Sequence, residues 1–208
     1  IGWRPHTKGL KTPALAHRLL RRGAHGVTCA KLAEAEVMAA AGITDILVAN
    51  QIVGAQKARR LAQLRRSADV MVAVDSPAGV SHIAEAAAAA GVSIRVLVEV
   101  NIGMDRAGVS TGQEVVDLAA LAARTNGIEL AGLMGWEGHT LAIEPAAAKR
   151  TAVEAAIDLL VKSADECRSA GVPIGIVSCG GTGSYRITAR QAGVTEIQAG
   201  GGVLGDVK

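Results

Sequence analysis

Short apolar runs and helical periodicities alternate along the whole of this chain, and that alternation restricts the fold more than any single motif. Residues 1–8, 26–30, 45–50, 70–75, 94–101, 130–136, 174–178 and 194–198 read as strands. Helices are predicted over residues 13–22, 32–41, 54–66, 79–90, 112–124 and 145–170, with a helical turn at 188–192. Thr12 precedes the first helix as a candidate N-cap. Strands separated by helices run parallel, because each crossover returns the chain to the same end of the sheet. Eight such strands close a (β/α)8 TIM barrel. The rival fold, a doubly wound open sheet, lacks its expected GxG turn, since the first strand runs into Lys8-Gly9-Leu10-Lys11.

At 208 residues the chain suits one domain, and residues 1–208 are read as a single barrel. Half of them are hydrophobic, yet aromatics are 1%; alanine and 25 glycines fill the gap and favour close helix packing. A net charge of +3 argues against a nucleic-acid binder, which needs a basic stripe with stacking aromatics. Charged residues break every apolar run well before the roughly 18 residues that a membrane span needs. Cys29, Cys167 and Cys179 form no CxxC pair, which points to the reducing cytoplasm. No His, Cys or acidic residues show metal-ligand spacing. The chain opens on Ile1 and stops at Lys208 just after a glycine-rich stretch, so a portion of a longer protein is expected, without the final barrel helix.

Polar residues collect at the C-terminal ends of the strands: Lys8, Cys29, Asn50, Asp75, Glu99, Asn101, Trp136, Glu137, His139, Ser178, Cys179 and Gln198. In a barrel that end carries the chemistry. Alternation along the first strand puts Arg4, His6 and Lys8 on one face. Either these bases surround an anionic ligand, with Lys8 a Schiff-base nucleophile, or the segment is a frayed terminus. Ser178-Cys179-Gly180-Gly181-Thr182-Gly183-Ser184 follows the seventh strand and Ala199-Gly200-Gly201-Gly202 the eighth. Loops in those two places are the usual barrel phosphate site, though each cluster alone also suits a tight turn. Arg106 lies in a glycine-flanked loop where it could meet an anionic oxygen or simply face solvent. Trp136 could pack on a flat cofactor or belong to the core. The basic run from Lys57 to Arg66 has helical spacing and reads as a solvated face.

Five segments in order carry a resemblance. They are Arg4-Pro5-His6-Thr7-Lys8, Gly26-Val27-Thr28-Cys29 with Glu34-Ala35-Glu36, Gly103-Met104-Asp105-Arg106-Ala107-Gly108, Ser178 to Gly183, and Gln198 to Gly202 with Asp206. Together they resemble the D-threonine aldolase / D-serine dehydratase family of pyridoxal-phosphate (PLP) enzymes, built on an alanine-racemase-type barrel. The resemblance implies PLP bound covalently by Lys8, with His6, Arg106 and Trp136 near its ring. It implies Ser178, Gly181, Thr182, Gly183, Gly200, Gly201 and Gly202 around the phosphate. Leu10 departs from the family, which usually has His there, and Trp136 stands where Tyr is common. Members also carry a second β-rich domain holding a divalent metal, Mn or Zn, so metal ligands are expected outside this chain.

These implications give a PLP-dependent lyase that cleaves small D-3-hydroxy amino acids by retro-aldol chemistry, with His139 a candidate base, working as a homodimer. A D-serine dehydratase or an amino-acid racemase on the same scaffold is the alternative. A non-catalytic PLP-homeostasis barrel and an unrelated sugar-phosphate barrel are the readings from other classes.

Overall fold

The structure is a computed structural model, and it describes residues 1–204; Asp206 of the last motif lies outside them. Eight strands, β1 (Gly2–Trp3), β2 (Val27–Cys29), β3 (Asp45–Gln51), β4 (Asp69–Val74), β5 (Ile94–Val100), β6 (Ile128–Gly135), β7 (Ile176–Cys179) and β8 (Glu196–Ile197), form one parallel sheet. The helices α1 (Pro13–Leu20), α2 (Leu32–Ala40), α3 (Ala55–Leu64), α4 (Pro77–Ala90), α5 (Gln113–Arg124), α6 (Ala146–Ser169) and α7 (Tyr185–Thr188) connect them. β1 pairs with β8, and the order then descends from β8 to β2. The ring shuts between β1 and β2: His25 N–H donates to Trp3 O (3.1 Å), Thr28 N–H to Pro5 O (2.9 Å) and Thr7 N–H to Thr28 O (2.7 Å). The expected barrel is therefore the observed one.

Alternation along each strand separates two cores. Val70, Val72 and Val74 of β4 and Val96, Val98 and Val100 of β5 face outward and pack under the helices. Leu47, Met71, Ala73, Leu97 and Met134 face inward and fill the barrel. The alanine-rich helices suit this shell: Ala58 and Ala62 of α3, Ala86 and Ala87 of α4 and Ala119 and Ala122 of α5 are buried against it.

Below the inner apolar layer, at the N-terminal strand ends, lies a floor of paired charges. Arg4 is buried between Asp45 and Glu196, and Glu196 also takes a hydrogen bond from His25 at 2.9 Å. Arg95 reaches Asp69 at 2.8 Å. Burial pulls the Glu196 carboxyl upward, but hydrogen bonds from His25 and Ser178 and the Arg4 charge outweigh it and hold it below the ordinary carboxylate range.

Several boundaries differ from the sequence reading for identifiable reasons. β1 ends at Trp3, because Pro5 has no N–H for a ladder. Thr12 does not cap α1; its hydroxyl donates back to Leu10 O at 2.7 Å. α4 begins at Pro77, two residues early, because Ser76 accepts from Gly79 N–H as a true N-cap. The helical turn after β7 spans Tyr185–Thr188 rather than 188–192, since it grows directly out of the Gly181–Ser184 turn. Arg4 does not point into the mouth beside Lys8. It sits one barrel layer down, where the anions it needs are supplied by the protein itself.

Candidate active site

The mouth gathers residues from both ends of the chain. Lys8 lies at the end of the extended segment after β1; it is exposed and makes no ion pair among the described residues. Its Nζ stands 5.9 Å from the centre of the Trp136 ring. Lys11, three residues on, is instead tied to Glu34 at 3.0 Å. His6 accepts the Lys8 backbone N–H at Nδ1 (3.4 Å). Burial and the adjacent Lys8 charge lower its pKa to about 4, so the ring is neutral near pH 7.

Trp136 follows β6 and is held by glycines. A Cβ on Gly181 would fall 2.1 Å from its ring, and one on Gly138 2.2 Å from its Nε1, so both positions require the missing side chain. The two glycine-rich turns meet: Gly201 N–H donates to Thr182 Oγ1 at 2.8 Å. A Cβ on Gly200 would lie 2.1 Å from His6 O, which presses the last turn onto the Lys8 segment. The amides of Thr182, Gly183 and Gly202 find no acceptor among the described residues. Beneath them Ser178 is buried, donating to Glu196 (2.7 Å) and accepting from Gln198 (2.9 Å).

Arg106 is exposed in the loop after β5, which side-chain hydrogen bonds brace. Asn101 Oδ1 accepts from Gly103 N–H and Asp105 N–H, both at 3.1 Å, and Asp75 accepts from Gly108 N–H at 3.2 Å. Arg106, Trp136 and Glu99 line one small cavity at the mouth. His139, also exposed, lies over Gly103, where a Cβ would approach its ring to 2.9 Å.

Sequence reasoning named Glu99 and Glu137 only as polar strand ends. Glu99 is buried and bonded to Gln51 at 2.5 Å; burial is the main force raising its pKa. Gln51 reaches it because the register of β3 shifts between Val48 and Gln51. Glu137 is fully buried and accepts from Ser184, Thr188 and Gly180. An acidic residue inside a β-branched run, as in Val98-Glu99-Val100, was the available signal for the first. Burial pushes the Cys29 thiol up to about 11 and Cys179 well above its usual value, so neither is a thiolate at neutral pH.

Residues 6–207 match the family model described as alanine racemase, N-terminal domain. The chain belongs to this family. It is 36% identical over 200 residues to a D-threonine aldolase of Arthrobacter sp., covering 96% of this chain and 53% of that protein. It is 32% identical over 200 residues to a D-threo-3-hydroxyaspartate dehydratase of Delftia sp. (strain HT23), covering 95% of this chain and 52% of that one. The crystal structure of D-threonine aldolase from Filomicrobium marinum superposes with a TM-score of 0.95 at 38% identity, over 98% of this chain and 55% of that one. The chain thus spans about half the length of the curated relatives it matches.

Proposed function

We propose that this family member is the PLP-binding barrel of a lyase that cleaves small D-3-hydroxy amino acids, releasing glycine and an aldehyde. The observation that carries the reading is the convergence at the mouth of a lysine, an aromatic face and three amides, the lysine without an ion-pair partner and the amides without an acceptor among the described residues. These residues fit the cofactor. Thr182, Gly183 and Gly202 offer N–H groups to a phosphate, the exposed Lys8 amine offers an attachment point, and Arg106 and Trp136 border the space for a ring. When bound, PLP supplies the electron sink for charge that develops at the substrate Cα.

The remaining work falls to the chain itself. Lys8 Nζ is the amine that would hold the cofactor covalently, at the place where a substrate amine would enter. His6, neutral, takes the Lys8 backbone N–H at Nδ1 and so fixes the segment from which the side chain departs. Trp136, wedged by Gly181 and Gly138, keeps one wall apolar and limits water beside the reacting centre. His139 is the side chain proposed to accept the β-hydroxyl proton. No cluster of three or more His, Cys, Asp or Glu side chains that could hold a metal ion occurs among the described residues. A homodimer in the cytoplasm is proposed with this activity; the three free, buried cysteines agree with a reducing compartment.

The dehydratase relative favours a second reading, loss of water from a D-3-hydroxy amino acid on the same barrel. Product analysis separates the two: glycine plus aldehyde from D-threonine marks the aldolase, and a 2-oxo acid plus ammonia marks the dehydratase. Cofactor attachment is tested by borohydride reduction of the PLP-loaded full-length protein followed by peptide mapping. Label is expected on Lys8. Label on Lys11, or PLP binding with no lysine labelled, overturns the reading.

A further inference from the structure

Glu137 plays no part in the chemistry above, yet its carboxylate is fully buried beside the site and fully occupied. Oε1 accepts from the Ser184 hydroxyl at 2.6 Å and the Thr188 hydroxyl at 2.9 Å; Oε2 accepts from Gly180 N–H at 3.3 Å. Ser184 Oγ in turn accepts from Gly181 N–H at 3.0 Å. Through this one side chain the first two amides of the turn after β7 are claimed from inside the protein, Gly180 directly and Gly181 through Ser184. The next two amides, of Thr182 and Gly183, are left without acceptors among the described residues. The division of the turn into inward and unclaimed donors follows the reach of Glu137.

We propose that Glu137 is a positioning residue for the anion cradle, fixing the Gly180–Ser184 turn so that Thr182 and Gly183 present their amides to the phosphate of the cofactor. The proposal rests on the PLP reading above. Its chemistry is specific to a carboxylate. Three donors converge on it, and only an acceptor at both oxygens satisfies all three. An amide in its place turns an NH2 group either toward Gly180 N–H or toward the two hydroxyls, so at least one donor loses its acceptor and the turn must shift. Charge and geometry predict opposite outcomes. Removing a negative charge next to an anion site should, by Coulomb attraction alone, tighten anion binding. Loosening a preset cradle should weaken it.

The test titrates full-length apoprotein with PLP and, separately, with pyridoxal, which lacks the phosphate. Wild type should bind PLP far more tightly than pyridoxal. Glu137→Gln should weaken PLP by about tenfold, equivalent to about 1.4 kcal/mol, and leave pyridoxal within about twofold of wild type. An equal loss for both ligands would show a general packing role and overturn the proposal. So would unchanged or tightened PLP binding. Should Glu137→Gln not fold, Ser184→Ala carries the same test, since it frees Gly181 N–H and strips one donor from Glu137. A wild-type protein that fails to distinguish PLP from pyridoxal removes the cradle itself, and that result appears before any variant is made.

Discussion

The two ends of the barrel are built from the same residue types to opposite effect. At the floor, Arg4, Asp45, Glu196 and His25 neutralise one another, and Arg95 is matched to Asp69. At the mouth, Lys8 faces a tryptophan ring, Arg106 lies exposed, and the Thr182, Gly183 and Gly202 amides have no protein acceptor among the described residues. A paired buried charge fixes one structure, because removing its partner strands the other in low dielectric. An unpaired group at a rigid rim costs little in water and becomes useful when a ligand arrives. Charge type therefore says less about function in this fold than whether the charge has been spent.

The sharpest break between the ends comes from Lys8. On the proposal that Lys8 holds the cofactor covalently, Lys8→Ala should lower the proposed lyase activity by at least about a thousandfold. Its stability should change by no more than about 0.5 kcal/mol, because the side chain is exposed and unpaired. Urea unfolding and steady-state turnover of the same preparation check both halves.

Glu196→Ala should do the reverse. It leaves Arg4 buried beside Asp45 alone and strips Ser178 and His25 of an acceptor, so a loss of about 3–5 kcal/mol is expected in urea unfolding. Cofactor affinity per folded molecule should stay close to wild type. If instead affinity collapses while stability holds, the floor takes part in binding and the contrast fails.

Acid should weaken the protein in two stages. His6 is displaced downward from 6.5 to about 4, so between these values the unfolded chain binds a proton that the folded state refuses. The stability due to neutral His6 is thus whole above pH 6.5 and declines as pH falls toward 4. Glu196, also displaced downward, adds a further loss at lower pH, as the acid reaches its folded carboxylate. A His6→Gln variant should flatten the upper stage of unfolding free energy against pH and leave the lower one. An unchanged slope would mean that His6 protonates freely in the fold.

The smallest effect concerns glycine positions in the last turn. A Cβ at Gly201 would lie 2.7 Å from Thr182 Oγ1, so Gly201→Val should weaken PLP by displacing the neighbouring turn. At Gly202 nothing lies within 4 Å, and Gly202→Ala keeps its N–H; it should fold with stability within about 0.5 kcal/mol of wild type. Comparing the two by PLP titration shows whether the cradle depends on contact between the turns.

The barrel was legible because its signal is periodic: β5 and α5 each sit within one residue of where apolar spacing put them. The placement of Lys8 and the glycine turns at the mouth was legible because strand ends in a barrel are ordered by number. Arg4 was misplaced because alternation gives a face but not a depth, and its partner Glu196 is 192 residues away. Glu137 escaped as a functional candidate for the same reason. Its three partners come from the turn after β7 and from α7, and no local pattern announces that reach. Ser76 before Pro77 carries the cap signal that places the start of α4 ahead of Gly79.

Closure of the ring sets an order of assembly. Gly2 pairs with Glu196 at the floor, and Trp3 Nε1 donates to Ala199 O at 2.8 Å just before the last glycine turn, so the two extremities of the barrel are joined from floor toward mouth. During synthesis Lys8 is made before nearly the whole barrel that separates it from its glycine turns. The entropy of closing so long a loop grows only slowly with length, so the delay is chiefly one of sequence rather than of energy. Partly made chains have a lysine and a tryptophan but no cradle between them. A cofactor that bound only the closed ring would stabilise it by mass action, and would then act as the final clasp in folding.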